Sequence, residues 1–154
     1  QLSHIRNKQI GFIFQGYNLI PELTALENVE LPLIYQGIGP GKRQELAQRA
    51  LERVGLGSRG GHRPSEMSGG QQQRVAIARA ISTSPPIIMA DEPTGALDSK
   101  TGQEVLAFLQ QLNREGSTVI LITHDNGIAA TARRIVRVSD GKIVEDHAQE
   151  VDWL

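Results

Sequence analysis

Two adjacent carboxylates, Asp91 and Glu92, close the apolar run Ile87-Ile88-Met89-Ala90. At the C-terminal end of a buried strand such a pair faces the crevice where open α/β sheets bind ligands. The first acid can hold Mg²⁺ while the second polarises an attacking water. Acids after a strand also serve as ordinary turn or helix-capping residues, so the pair alone leaves both readings standing. Met67-Ser68-Gly69-Gly70-Gln71 offers a different chemistry. Two consecutive glycines expose backbone N–H groups at the positive end of a helix, beside a hydroxyl, which makes a site for a phosphate. Ser68 and Gln71 also form a capping box, and one reading does not exclude the other. His124 and Gln15 each end a further apolar run, and Asp98 ends the loop Pro93-Thr94-Gly95-Ala96-Leu97. Taken singly, a histidine or glutamine there closes a strand in solvent, and Asp98 reads as a helix cap rather than a catalyst.

Definite elements must place these residues. Ile10 to Phe14 reads as a buried strand ended by Gln15 and a turn at Gly16. From Thr24 to Ser84 the pattern is helical and contains no strand; Leu46, Ala47, Ala50, Leu51 and Val54 share one face, and Gly55 is the stop. Gly37 to Arg43 reads as a loop, Gly55 to Pro64 as a solvated loop, and Gln71 to Ile81 as a second helix closed by Pro85 and Pro86. Ile87 to Ala90 is the next strand. Val105, Phe108, Leu109 and Leu112 then mark a helix opened by a Thr101–Glu104 capping box and ended by Gly116, before a strand over Thr118 to Thr123.

Strand, helix and strand in series predict a right-handed parallel crossover, so the fold class is α/β. Parallel neighbours end on the same side, which brings His124 beside Glu92 and lets Gln15 reach the same crevice. Ile135 to Val138 and Lys142 to Val144 flank Asp140-Gly141, a two-residue turn suited to an antiparallel hairpin. Residues 1–23 and 85–154 thus form an α/β core, and 24–84 a helical subdomain that carries Ser68 to Gln71.

The composition narrows the function classes. The chain has 154 residues, 39% of them hydrophobic, enough for one globular domain without metal or disulfide staples. Sixteen basic residues against seventeen acidic ones give a net charge of −1, which argues for no nucleic-acid partner. The absence of cysteine excludes a disulfide framework, a thiolate metal site and a cysteine nucleophile, and it fits a reducing compartment such as the cytoplasm. No apolar run approaches the roughly 20 residues that span a bilayer. Gln1 to Gln9 is polar and carries no signal-peptide core.

In this order the motifs resemble the nucleotide-binding subunit of ABC transporters. Gln15 matches the Q-loop, Met67 to Gln71 the LSGGQ signature with Met67 in place of leucine, and Ile87 to Glu92 the Walker B strand. Asp98 matches the D-loop acid and His124 the switch histidine. Phe14-Gln15 leading to Asn18-Leu19, Leu26-Glu27-Asn28-Val29 with Leu31-Pro32-Leu33, and Asp91 to Ser99 look like the lipoprotein-releasing, macrolide-export and cell-division branch.

The resemblance implies a P-loop NTPase-like parallel-sheet core with an inserted α-helical subdomain and a C-terminal hairpin. It implies ATP and Mg²⁺ as ligands, and a head-to-tail homodimer with the nucleotide sandwiched between subunits. It also implies a transmembrane permease as partner, which would hold the chain on the inner face of the cell membrane. The roles it carries over are Glu92 on the attacking water, His124 on the γ-phosphate, Asp91 and Gln15 at Mg²⁺, and Gln15, Ser68, Gly69, Gly70, Gln71 and Asp98 at the nucleotide, with Gln15 also coupling the site to the membrane partner.

ATPases of this class carry G-x-x-x-x-G-K-[ST] between a strand and a helix, and these residues hold no such segment. Gly37 to Arg43 has one residue too few between its glycines, offers Arg43 where a hydroxyl is needed, and follows no strand. The upstream part of the core is therefore expected to be missing, and the chain by itself to be inactive. An exposed apolar sheet edge is expected beside the Ile10 to Phe14 or Ile87 to Ala90 strand. Two rival classes remain: a DNA-repair or chromosome-organising ATPase, and a non-catalytic interaction module. The first places a long coiled coil or a zinc module between Gln15 and Ser68, where this chain has neither sustained heptads nor cysteine.

Overall fold

The computed structural model describes residues 2, 3 and 9–151, so the reading of the polar stretch 1–9 falls largely outside the described residues. Three short parallel strands, β1 (Ile10–Phe14), β2 (Ile87–Asp91) and β3 (Thr118–Ile122), pair in the order β1-β2-β3. The register sets Phe14 beside Asp91 and Asp91 beside Ile122, so all three strands end at one level.

The period-two alternation of a strand divides the sheet into two unlike faces. Ile13, Ile88 and Ala90 are buried, with Val119 and Leu121 packed against the same core. Gly11 lies so close beneath a helix that a Cβ there would stand 2.5 Å from the Ala80 carbonyl oxygen. The opposite face carries Phe12 and Phe14, whose rings stack with centroids 6.0 Å apart, and Ile120 and Ile122, both exposed. The expected open edge is corrected in one respect. β2 is the central strand and is paired on both sides, so among the described residues the sheet edges are β1 and β3.

Between β1 and β2 run three helices: α1 (Ala25–Tyr35), α2 (Pro40–Arg53) and α3 (Gly69–Ile81). Thr24 and Glu27 close a capping box on α1. The fully buried Asn28 accepts from Ile20 N–H and donates to the Ile20 and Thr24 carbonyls, which fixes the loop after β1. Gly37 to Arg43 is not wholly a loop: Pro40 opens α2, because its fixed φ suits the first helical position and its missing N–H needs no partner there. Arg43 then reaches Glu30 at 2.6 Å and pins α2 to α1. α3 begins at Gly69, two residues before the expected start, with Ser68 as its N-cap.

After β2, α4 (Ser99–Arg114) returns the chain to β3. Its cap corrects the Thr101–Glu104 reading. The capping oxygen belongs to Asp98, which accepts from Thr101 N–H at 2.7 Å and from the Thr101 hydroxyl at 3.1 Å, while Glu104 pairs with Arg74 on α3. A single helical turn, α5 (Asn126–Ala129), precedes the hairpin β4 (Arg134–Ser139) and β5 (Lys142–Ala148). Asp140 and Gly141 both take positive φ, 49° and 73°, as a two-residue turn matching the strand twist requires. Among the described residues no helix is long and apolar enough to cross a membrane.

Candidate active site

The common level of the three strand ends makes the site. Phe14, Asp91 and Ile122 are in register, so Gln15, Glu92 and Thr123 follow them, with His124 next along the chain. Glu92 turns out of β2 with φ of 44°, a left-handed conformation uncommon for a residue with a Cβ. Its backbone N–H donates to the Ile122 carbonyl at 2.9 Å, which ties the turn to β3. The side chain reaches over the end of that neighbour. Thr123 Oγ1 donates to Glu92 Oε2 at 3.1 Å, the His124 backbone N–H donates to Oε1 at 2.8 Å, and His124 Nδ1 also meets Oε1.

Partial burial pushes the Glu92 carboxyl up. The hydrogen bonds from His124 and Thr123 outweigh it, and the group lies below its ordinary value. Glu92 is therefore a carboxylate at neutral pH, able to accept a proton. His124 itself presents a side chain that is 92% exposed.

Asp91 and Gln15 stand on either side of the β1–β2 pairing. Gln15 lies across Gly95: a Cβ on that glycine would come within 2.5 Å of Gln15 Nε2. No group of three or more acidic, histidine or cysteine side chains that could hold a metal occurs among the described residues. Mg²⁺ in phosphoryl-transfer sites takes one or two protein oxygens and fills its shell with water and phosphate, and the exposed Asp91 carboxylate and Gln15 amide, on neighbouring strand ends, are of the donor types that set requires.

Ser68, Gly69, Gly70 and Gln71 line a separate concavity, opposite Ala96, Leu97, Asp98 and Thr101. Both bonds of the capping box are made: the Ser68 hydroxyl accepts from Gln71 N–H at 3.2 Å, and Gln71 Oε1 accepts from Ser68 N–H at 3.0 Å. Close approach explains the glycine pair. A Cβ at Gly70 would lie 2.6 Å from Thr101 Cγ2, and one at Gly69 would lie 3.0 Å from the Tyr17 hydroxyl. The structure thus gathers Gln15, Asp91, Glu92 and His124 at the strand ends and Ser68–Gln71 with Asp98 at the start of α3. His124, Asp91 and Glu92 are not among the residues that line the second concavity.

Three residues at the site were not singled out from the sequence. In the sequence Thr123 reads only as the end of its strand, although the register that places His124 also places its hydroxyl. Arg79, on α3, donates to the Tyr17 carbonyl at 2.8 Å and the Asn18 carbonyl at 2.6 Å. Those two residues follow Gln15 in left-handed conformations, φ 61° and 51°. Gln73, on the same helix, donates to the Pro93 carbonyl. No local sequence signal marks either contact, because each joins segments far apart in the chain.

The family model described as ABC transporter matches residues 1–95. The macrolide export ATP-binding/permease protein MacB of Marinobacter nauticus is 54% identical over 98% of this chain and 23% of its own length. The uncharacterized ABC transporter ATP-binding protein YknY of Bacillus subtilis is 56% identical over 94% of this chain and 63% of its own. A dimeric bacterial ABC transporter cassette superposes with a TM-score of 0.83 at 49% identity, covering 96% of this chain and 66% of that one. A dimeric ATP-binding cassette in a post-hydrolysis state bound to ADP and Pi gives a TM-score of 0.82 at 47% identity. The chain thus spans about a quarter of the length of the macrolide-export relative and under two thirds of the others.

Proposed function

The chain belongs to the ABC transporter family of ATP-binding proteins, in the macrolide-export branch and with the α/β cassette fold, and from that premise we propose that the whole protein hydrolyses MgATP to drive a membrane transporter. The observation that supports this best is the Glu92 carboxylate, kept ionised at a strand end by Thr123 and His124, with Asp91 and Gln15 at the same level.

In this reading Mg²⁺ neutralises phosphate charge when bound, with Asp91 and Gln15 holding it on the protein side. Glu92 Oε orients a water and takes its proton as the water attacks the terminal phosphate. His124 leaves most of its ring free to contact the γ-phosphate. The N–H groups of Gly69 and Gly70, with the Ser68 hydroxyl, form an anion site at the start of α3. Because Glu92 is not among the residues that line the concavity at Ser68–Gln71, we assign the two to different nucleotides in a head-to-tail homodimer: Ser68–Gln71 and Asp98 complete the partner's site, and Glu92 serves this chain's own.

Residues 24–84 act as the helical subdomain, the remainder as the core, and the loop at Gln15 couples the core to a transmembrane permease on the inner face of the cell membrane. These 154 residues hold no phosphate-cradling G-x-x-x-x-G-K-[ST] segment, and by themselves they are expected to turn ATP over weakly or not at all. The test is phosphate release by the whole purified protein with Mg²⁺ and with chelator, alongside its mass by light scattering with and without ATP. Mg²⁺-dependent turnover with ATP-dependent dimerisation is the expected result. Turnover that ignores Mg²⁺, or none with the permease present, refutes the reading.

A further inference from the structure

Gln73 sits in the middle of α3 and is fully buried. Its Nε2 donates to the Pro93 carbonyl at 2.5 Å, and its Oε1 has no hydrogen-bond partner. A buried amide with one unsatisfied end is a destabilising choice where an apolar side chain of the same volume would fit. What that amide holds gives the choice a reason. Pro93 directly follows Glu92, and proline has no N–H with which to anchor its own turn. The left-handed backbone of Glu92 is fixed from three directions: its N–H to the Ile122 carbonyl, its own carbonyl by Gly95 N–H at 3.1 Å, and the next carbonyl by Gln73. Two of these anchors lie within the core. The third is on the helix whose first turn is the anion site of Ser68 to Gly70.

We propose that Gln73 is a positioning residue that makes the aim of Glu92 depend on the seating of α3, and so links the two nucleotide sites of the dimer. This rests on the assignment of Ser68–Gly70 and Glu92 to different nucleotides. A helix moves nearly as a rigid rod, so engagement of its N-terminus by the partner's phosphate reaches Gln73 about one and a half turns on. From there a single hydrogen bond acts on the peptide that carries the general base. The bond does not touch the phosphates, so its loss changes the chemical step and leaves nucleotide affinity alone.

The test is Gln73→Met in the whole protein, with Glu92→Gln as control, followed by kcat, KM for MgATP and the thermal midpoint. Met keeps the volume and removes the orphaned Oε1 but also the donor to the Pro93 carbonyl, two opposed effects, so the midpoint shifts only modestly. A base displaced by a fraction of an ångström lowers kcat about tenfold, with KM within about twofold. A kcat within about twofold of wild type overturns the proposal, and so does a kcat that falls only in step with the folded fraction. If the Met variant does not fold, Gln73→Asn, which retains a buried amide one methylene short of Pro93, is read by the same criteria. Should Glu92→Gln retain full turnover, the functional reading itself fails; should it abolish turnover while Gln73→Met does not alter it, only the link fails.

Discussion

Replacing Glu92 by Gln separates the chemistry of that carboxylate from its packing. Glu92 receives hydrogen bonds from Thr123 Oγ1 and His124 N–H and faces His124 Nδ1. A glutamine with its oxygen toward His124 keeps the backbone bond. Its NH₂ then faces the Thr123 hydroxyl, which can accept as well as donate. Charge-assisted bonds become neutral ones of about half the strength, so the structural loss is on the order of 1 kcal/mol.

The kinetic loss is larger, because an amide cannot take a proton from water. Removing a general base slows reactions about 10²- to 10⁴-fold, or roughly 3 to 5 kcal/mol of barrier. The variant is therefore expected to stay folded, bind ATP, and accumulate as an ATP-bound dimer. Phosphate release in single and multiple turnover, with size-exclusion chromatography in ATP, measures this directly. Turnover above about a tenth of wild type lies below the smallest loss expected for a general base, and would falsify the assignment of Glu92.

Further outcomes follow from neighbouring contacts. Gly11→Ala forces a Cβ to 2.5 Å from the Ala80 carbonyl, a backbone atom that cannot swing aside; a loss of about 1 to 3 kcal/mol is expected in chemical denaturation, and an unchanged midpoint contradicts the packing of α3 on β1. Gly95→Ala meets the flexible end of Gln15 instead, so the fold should hold while the Mg²⁺ concentration for half-maximal activity rises; an unaltered Mg²⁺ profile removes Gln15 from the metal. Arg79→Met removes two charged donors from the Tyr17 and Asn18 carbonyls, at about 1.5 to 3 kcal/mol each; faster hydrogen exchange confined to the Gln15–Asn18 turn is the readout, and unchanged protection there rejects the tether. Glu92 titrates below its ordinary value of 4.5, so the stability from its hydrogen bonds is fully present above 4.5 and is lost as pH falls through the folded value. Carboxyl NMR should show a Glu92 midpoint below 4.5, and one above it contradicts the geometry.

Local chemistry made much of this readable from the sequence. Short β-branched and aromatic runs gave the three strands, Ser68 with Gln71 the cap of α3, and Asp140-Gly141 the hairpin turn, because each is settled by neighbours along the chain. The parallel crossover then placed His124 against Glu92, since neighbouring parallel strands end together. Where two local signals competed, the reading failed. Thr101–Glu104 looks like a capping box, yet Asp98 takes the cap and Glu104 is drawn to Arg74 on α3. Pro40 looks like a loop residue and opens α2.

Only the tertiary structure decided which segments approach one another. The contact of Gly70 with Thr101, the grip of Arg79 on the turn after Gln15, and the hold of Gln73 on Pro93 join residues that share no local pattern. Nor could periodicity tell that β2 is the central strand, because strand order is set by how the α3 and α4 crossovers pack on the sheet. The sequence by itself determined the chemical groups and the ends of the elements that bear them. Their division into a cluster at the strand ends and a concavity at the start of α3 came from packing, which acts between residues brought together only when the chain closes on its core.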